Sequence, residues 1–475
     1  MIRQRPIADG AAPLAAYVMA LIVALTLGHF LLGLPIQVSD SFGHMQQLAA
    51  SWEDLLYGRF TQQAFLRPFM WAEMKVVYDL SGGNYTPWFR GTHVVQVLAL
   101  TGMFVALVRI RAWRDIACLP LALAVLLGVH TFSGTVTEAF PINTYLTVLL
   151  LCVAAAVVAL GPYRWWHDVS AVVLLVVAAL TVETGLLVWV ICMGAALLGA
   201  RGVSRRGLAV LTVLLGVYFL ARFVLLDVGS PGLVERSSGF GFAVLDPPEL
   251  IERFGANPLL FYLYNIVSSA LTVLLSEPRA GVFRITHALA TGNVRPVMVV
   301  NALASIGVLT LLARFAWVRR REWLARRFEH DDRLVLLFGM VLVANAVISY
   351  PYTKDVIMSP AGVFLAAAAA AALRHLVASS PRRLSPGPAI ALVAALAVVT
   401  SAWSLRALSL FGQLRQAATT ERIEWAYVEL DRAAGLVHAS TPEDRALLED
   451  LRHAALIGRP SPPPLDLPFQ VLLGD

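Results

Sequence analysis

The chain has 475 residues, 58% hydrophobic and only 14% charged, with a net charge of +6 and a mean hydropathy of +0.71. A typical soluble domain carries about 25% charged residues, so an ordinary soluble globular protein is excluded, and so are a disordered and a collagen-like chain. The arginines fall between apolar runs, where they orient helices, so the positive balance does not indicate a nucleic-acid partner.

The apolar residues arrive in runs of roughly 17–23, long enough to cross a hydrocarbon core about 30 Å thick. The expected fold is all-α, a polytopic transmembrane helical bundle. Cys118, Cys152 and Cys192 all lie inside apolar runs and offer neither a disulfide framework nor thiolate zinc spacing. The first run, 11–34, is too long for the apolar region of a signal peptide and lacks a small-residue cleavage site.

Charge bias sets the expected topology. Arg3 and Arg5 place the N-terminus in the cytoplasm. The second span, 93–108, ends at Arg109, Arg111 and Arg114, again inside, so 35–91 forms a long first outer loop. Spans 116–129 and 144–160 enclose a short outer loop around Glu138. The run 169–200 has arginines at both ends, Arg164 before it and Arg201, Arg205 and Arg206 after it, and reads as two short helices meeting near Glu183. Span 208–226 exits to a large outer region, 227–295. Within that region 258–275 reads as a re-entrant or interfacial helix, because a full crossing would put the cluster Arg319–Arg321, Arg326 and Arg327 outside. Spans 296–318, 334–349, 358–373 and 389–405 follow. The total is about eleven crossings. Residues 1–405 thus form a transmembrane domain, and 406–475 an outer, amphipathic helical tail in which Thr441-Pro442-Glu443-Asp444 has the residues of a helix start. There is no internal repeat. Lys75 and Lys354, the only lysines, both fall on expected outer loops.

The polar residues not needed for orientation collect on the outer face. Asp40-Ser41-Phe42-Gly43-His44 follows the first span, then Glu53, Asp54, Arg67-Pro68, Glu73, Lys75, Asp79 and Arg90. Segments 41–60 and 64–80 have helical periodicity with one apolar face, as helices on a membrane surface do. A carboxylate at the mouth of a span can take a proton from an acceptor hydroxyl, and nearby cations can stabilise a departing phosphate. Asp40 fits the first role; it also fits that of a helix cap.

An acid after the first span, a long first outer loop with surface helices and an Arg-Pro step before the second span resemble the C-type fold of integral-membrane glycosyltransferases (GT-C), nearest to the protein O-mannosyltransferase group. The corresponding residues are Val38-Ser39-Asp40-Ser41, Leu66-Arg67-Pro68-Phe69, His130-Thr131-Phe132 with Thr137-Glu138-Ala139-Phe140, and Thr181-Val182-Glu183-Thr184. The chain departs from the family where its second acid would stand, at Ser41, and lacks both the lysine before Glu183 and the appended helical repeats.

The resemblance implies an inverting glycosyltransferase in a bacterial inner membrane. It would take a sugar from a polyprenyl-phosphate donor and pass it to a glycan, lipid or protein acceptor on the outer side. Asp40 would be the base, Arg67 a phosphate ligand, Glu138 an acid positioning the acceptor or a divalent metal, and Lys354, in Tyr350-Pro351-Tyr352-Thr353-Lys354-Asp355, the cation meeting the lipid phosphate. Glu183 and His44 are further candidates. No other cofactor is implied. Each residue also has a plain structural reading: Arg67 anchors its helix to headgroups, Glu138 and His44 are solvated, Glu183 bonds its own turn, and Lys354 snorkels. No phosphate loop of the Gly-Lys type indicates a nucleotide sugar. The rival readings are a non-catalytic or degenerate relative acting as a scaffold, a secondary transporter, and an O-antigen polymerase or ligase.

Overall fold

The computed structural model describes residues 8–58, 66–137, 144–226, 248, 251–252, 259–277, 281–350, 355–379, 386–435 and 437–457. Every regular element among them is helical.

The first apolar run forms α1, Ala8–Leu31. Ala12, Ala16, Ala20 and Ala24 recur every fourth residue and are fully buried, while Leu14, Leu21, Ile22 and Leu25 on the other face are exposed. Small residues let two backbones approach closely without a hydrophobic driving force between helices. The alanine stripe packs on α4, Tyr85–Val108, where a Cβ on Gly28 would stand 3.0 Å from Val94. Between them lie the two expected surface helices, α2 (Ser39–Leu48) and α3 (Pro68–Ser81).

The third run is not straight. Leu119–Gly128 (α5) and His130–Thr137 (α6) meet at a bend of 58° at Val129. Helices α7 (Thr144–Leu160), α8 (Trp165–Ala179) and α9 (Leu187–Leu197) follow. The last two form the expected hairpin. Gly202 N–H donates to Ala159 C=O at 3.1 Å, and His167 Nδ1 lies 3.0 Å from Gly202 C=O, so the two arginine-flanked ends are together. Glycine is required at both closures: a Cβ on Gly185 would be 2.0 Å from the Ala178 carbonyl carbon, and one on Gly202 would be 2.1 Å from Val158 O.

The remaining helices are α10 (Arg205–Phe219, continued by a π-helical turn Leu220–Leu225), α11 (Leu259–Leu274), α12 (Gly281–Thr291), α13 (Pro296–Leu324), α14 (His330–Ile348), α15 (Ser359–Ser379), α16 (Pro386–Ala433) and α17 (Pro442–Ile457). At the centre stands α15, with its alanine run 366–372 fully buried against α5 and α14. Helix α11 is anchored by Asn265 to the carbonyl of Tyr350 and, just past its end, by Ser276 to the backbone of His130.

Among the described residues six helices are long and apolar enough to cross a membrane: Ala11–Leu31, Tyr85–Val108, Arg205–Leu225, Pro296–Leu324, Asp355–Ser379 and Ala389–Ala433. The bent pair adds a seventh if it is one span, and Thr144–Leu160, Trp165–Ala179, Glu183–Leu197 and Leu259–Leu274 are shorter apolar helices. The chain therefore has the build of a membrane protein.

The last apolar run and the first part of the helical tail are one helix: α16 runs unbroken for 48 residues, across position 405. Ala407, Leu410, Phe411, Leu414 and Ala418 carry the apolar period onward and stay packed on the core, and no proline interrupts them.

Candidate functional site

The helices have two ends. At one, the starts of α4 and α7 and the hairpin tip gather beneath the first loop; at the other are Arg109, Arg164, Arg201 and the start of α14. The loop-side end carries its own small core. Phe42, Met45 and Leu48 of α2, Trp71, Met74 and Val77 of α3, Trp425 and Val428 of α16 and Leu448 and Leu451 of α17 are buried together. Trp425 Nε1–H donates to Ile36 C=O at 2.5 Å, tying the far end of α16 to the segment just after α1. The start of α17 is capped as its sequence indicates, with Asp444 N–H donating to Thr441 Oγ1 at 3.0 Å.

Between this subdomain and the bundle lies a charge cluster. Arg67 Nη2 donates to Glu183 Oε2 at 2.6 Å and Arg222 Nη1 to Glu183 Oε1 at 3.0 Å, and Arg222 Nη1 also reaches the Tyr218 hydroxyl at 2.9 Å. Local structure aims each side chain. Arg67 is the last residue before α3, where Pro68 starts the helix, and Phe69 N–H donates to Leu180 C=O at the hairpin tip. Glu183 opens the tight helical turn Glu183–Leu186 between α8 and α9. Arg222 sits in the π-helical turn that ends α10; such turns shift side-chain register and recur at functional sites. Burial disfavours the Arg67 charge, but the Glu183 carboxylate outweighs it and holds the guanidinium above its ordinary value. Two guanidiniums thus share one carboxylate among the described residues.

A second buried acid lies on α3. Glu73 Oε1 accepts from Thr147 Oγ1 at 2.8 Å and Gln96 Nε2 at 3.0 Å. Burial pushes its carboxyl up to about 7, against the pull of those two donors. Glu73 can therefore exchange a proton near neutral pH, as a tuned acid or base must. On the outer side of α3, Lys75 Nζ bonds Asp79 Oδ1 at 2.6 Å and lies over the Tyr78 ring. At the bend of the third run, His130 Nε2 is 2.8 Å from Asp355 Oδ2. Arg406 fills the space beneath, donating to the carbonyl of Gly128 and to Ser276, with Glu277 at 3.9 Å.

Of the residues singled out in the sequence, Arg67 and Glu183 come together directly. His44 stacks on Trp71 with ring centroids 5.1 Å apart, part of the small core's polar edge. Asp40 lies in the first turn of α2, at its second residue and not at the cap, which is Val38. Glu138 and Lys354 lie outside the described residues. Arg222, Tyr218 and Glu73, and the pairing of His130 with Asp355, were not singled out. Signals existed for two of them. Arg222 is a lone charge in an otherwise apolar run, a costly placement. Glu73 shares the apolar face of α3 with Met70, Met74 and Val77. Among the described residues no three His, Cys, Asp or Glu side chains group so as to hold a metal ion. None of the family models, curated proteins or solved structures compared with the chain matches it.

Proposed function

We propose that the loop-side end transfers a sugar from a polyprenyl-phosphate donor to an acceptor on the outer face of a bacterial inner membrane, within a GT-C-like bundle of about eleven crossings whose N-terminus is cytoplasmic and whose tail is outside. The observation that carries this reading is the convergence of two guanidiniums, Arg67 of the first loop and Arg222 of α10, at Glu183 of the hairpin tip. Paired guanidiniums suit a phosphate leaving group, whose negative charge grows in the transition state. Asp40 is the base: it takes the proton of the acceptor hydroxyl, the hydroxyl oxygen attacks the anomeric carbon, and the bond to phosphate breaks on the opposite face. The sugar's configuration inverts and the polyprenyl phosphate leaves with the electron pair. Lys354 adds a second phosphate contact.

The test is transfer of labelled sugar in membranes supplied with the lipid donor. Asp40→Asn keeps the size of the side chain and is expected to lower the rate by roughly 10²–10⁴ with unchanged expression and thermal stability. Lys354→Ala is expected to weaken donor binding, and Lys354→Arg to restore part of it. Full activity of Asp40→Asn removes the base role, and an inactive native protein given donor and acceptor removes the enzyme reading in favour of a non-catalytic relative. Cysteine-accessibility labelling tests the topology separately: positions 236 and 445 are expected outside and position 322 inside, and labelling of 236 and 285 from opposite sides would mean that 258–275 crosses.

A further inference from the structure

The end of the bundle away from the first loop holds a cavity of about 400 Å³. Its apolar wall is formed by the last turns of α4 and α7, and its polar lining is Arg109, Arg111, Arg164, His167 and His330. None of these arginines has a carboxylate within 4.0 Å among the described residues. The nearest acids are committed elsewhere. Asp115 accepts the backbone N–H groups of Arg111 and Ala112, Asp331 faces Arg374 at 3.3 Å, and Asp168 accepts from Ser204. Burial, then the nearby Arg111 and Arg333, push the Arg109 guanidinium below its ordinary value. Cations are thus gathered here with no carboxylate within 4.0 Å of their guanidiniums among the described residues.

His330 joins the lining as a neutral ring: its Nε2 lies 2.9 Å from the Leu107 carbonyl, which can only accept, so Nε2 carries the ring proton. The lining thus asks for an anion, and the guanidiniums match phosphate oxygens in pairs. The depth of the cavity is marked by the exposed rings of Trp113, Tyr163, Trp165 and Trp166, side chains that gather where a membrane meets water.

We propose that this cavity binds a phosphate group, supplied by the headgroup of an anionic phospholipid in the leaflet opposite the first loop. Arg111 and Arg164, both exposed, close over the phosphate, and Arg109 lies behind it. Basic pockets between transmembrane helices hold anionic headgroups by this combination of charge and depth.

The test uses the full-length protein in neutral detergent, titrated with short-chain phosphatidylglycerol while thermal unfolding is followed. Phosphatidylcholine is the headgroup control and inorganic phosphate the control for a free anion. Saturable stabilisation by phosphatidylglycerol, absent with phosphatidylcholine, is expected. The double variant Arg111→Ala/Arg164→Ala is expected to need at least tenfold more lipid for the same shift while unfolding at the native temperature without lipid, since both side chains are exposed. Equal stabilisation of the double variant and the native protein overturns the site. Stabilisation by inorganic phosphate but not by the lipid overturns the headgroup as its source.

Discussion

Two groups of arginines, one at each end of the bundle, solve opposite problems. Arg67 and Arg222 are largely withdrawn from water and converge on Glu183, whereas Arg111 and Arg164 stand open to solvent beside a cavity with no carboxylate within 4.0 Å of them among the described residues. A charge taken out of water must be paired or it costs several kcal/mol, while an exposed one needs nothing from the chain. The contrast separates cations that the chain itself pairs from cations that stand in solvent.

The largest effect that contrast predicts is at Glu183. Removing its carboxylate takes a shared counter-charge from two largely buried guanidiniums, so Glu183→Ala is expected to destabilise by about 3–5 kcal/mol in thermal or denaturant unfolding. A variant as stable as the native protein would mean that water reaches the cluster freely. A middle-sized effect is expected at Glu73, and it depends on pH. Its folded value, about 7, lies above the ordinary 4.5, so the native state binds the extra proton between those values and loses stability as pH rises through that window. Glu73→Gln keeps the acceptor for Thr147 and Gln96 and removes the charge. It is expected to match the native protein at pH 4 and to exceed it by ~3 kcal/mol at pH 8. A difference that does not change with pH would place the carboxyl in water. The smallest effect belongs to the other end: Arg111→Ala is expected to change stability by less than about 0.5 kcal/mol.

Much of the bundle was legible because hydropathy and arginine placement act over short stretches. The span 144–160 coincides with Thr144–Leu160, and the hairpin at Glu183 follows from a run too long for one crossing with arginines at both ends. The helices of the first loop were readable from their apolar faces. What those faces pack against was not, since Trp425 and Ile36 are 389 positions apart and no local pattern pairs them. The same holds for Arg67 and Glu183, two separately noticed residues whose contact spans 116 positions. The cavity at the far end was hidden for a different reason. Its arginines fully satisfy the rule that orients helices, and a residue with one sufficient explanation gives no sign of a second.

Helix α16 has a mechanical consequence. At 1.5 Å per residue its 48 residues form a rod about 72 Å long, longer than a bilayer is thick. Arg406 pins it against Gly128 inside the bundle, and Trp425 is bolted to Ile36 beneath the first loop. With Arg406 as fulcrum, Trp425 is 19 residues out on the lever arm, about 28 Å away. A tilt of about 5°, the kind of adjustment a helix makes to a thicker or thinner membrane, moves that end by about 2.5 Å. A tilt of α16 would therefore carry with it the segment after α1 to which Trp425 is tied.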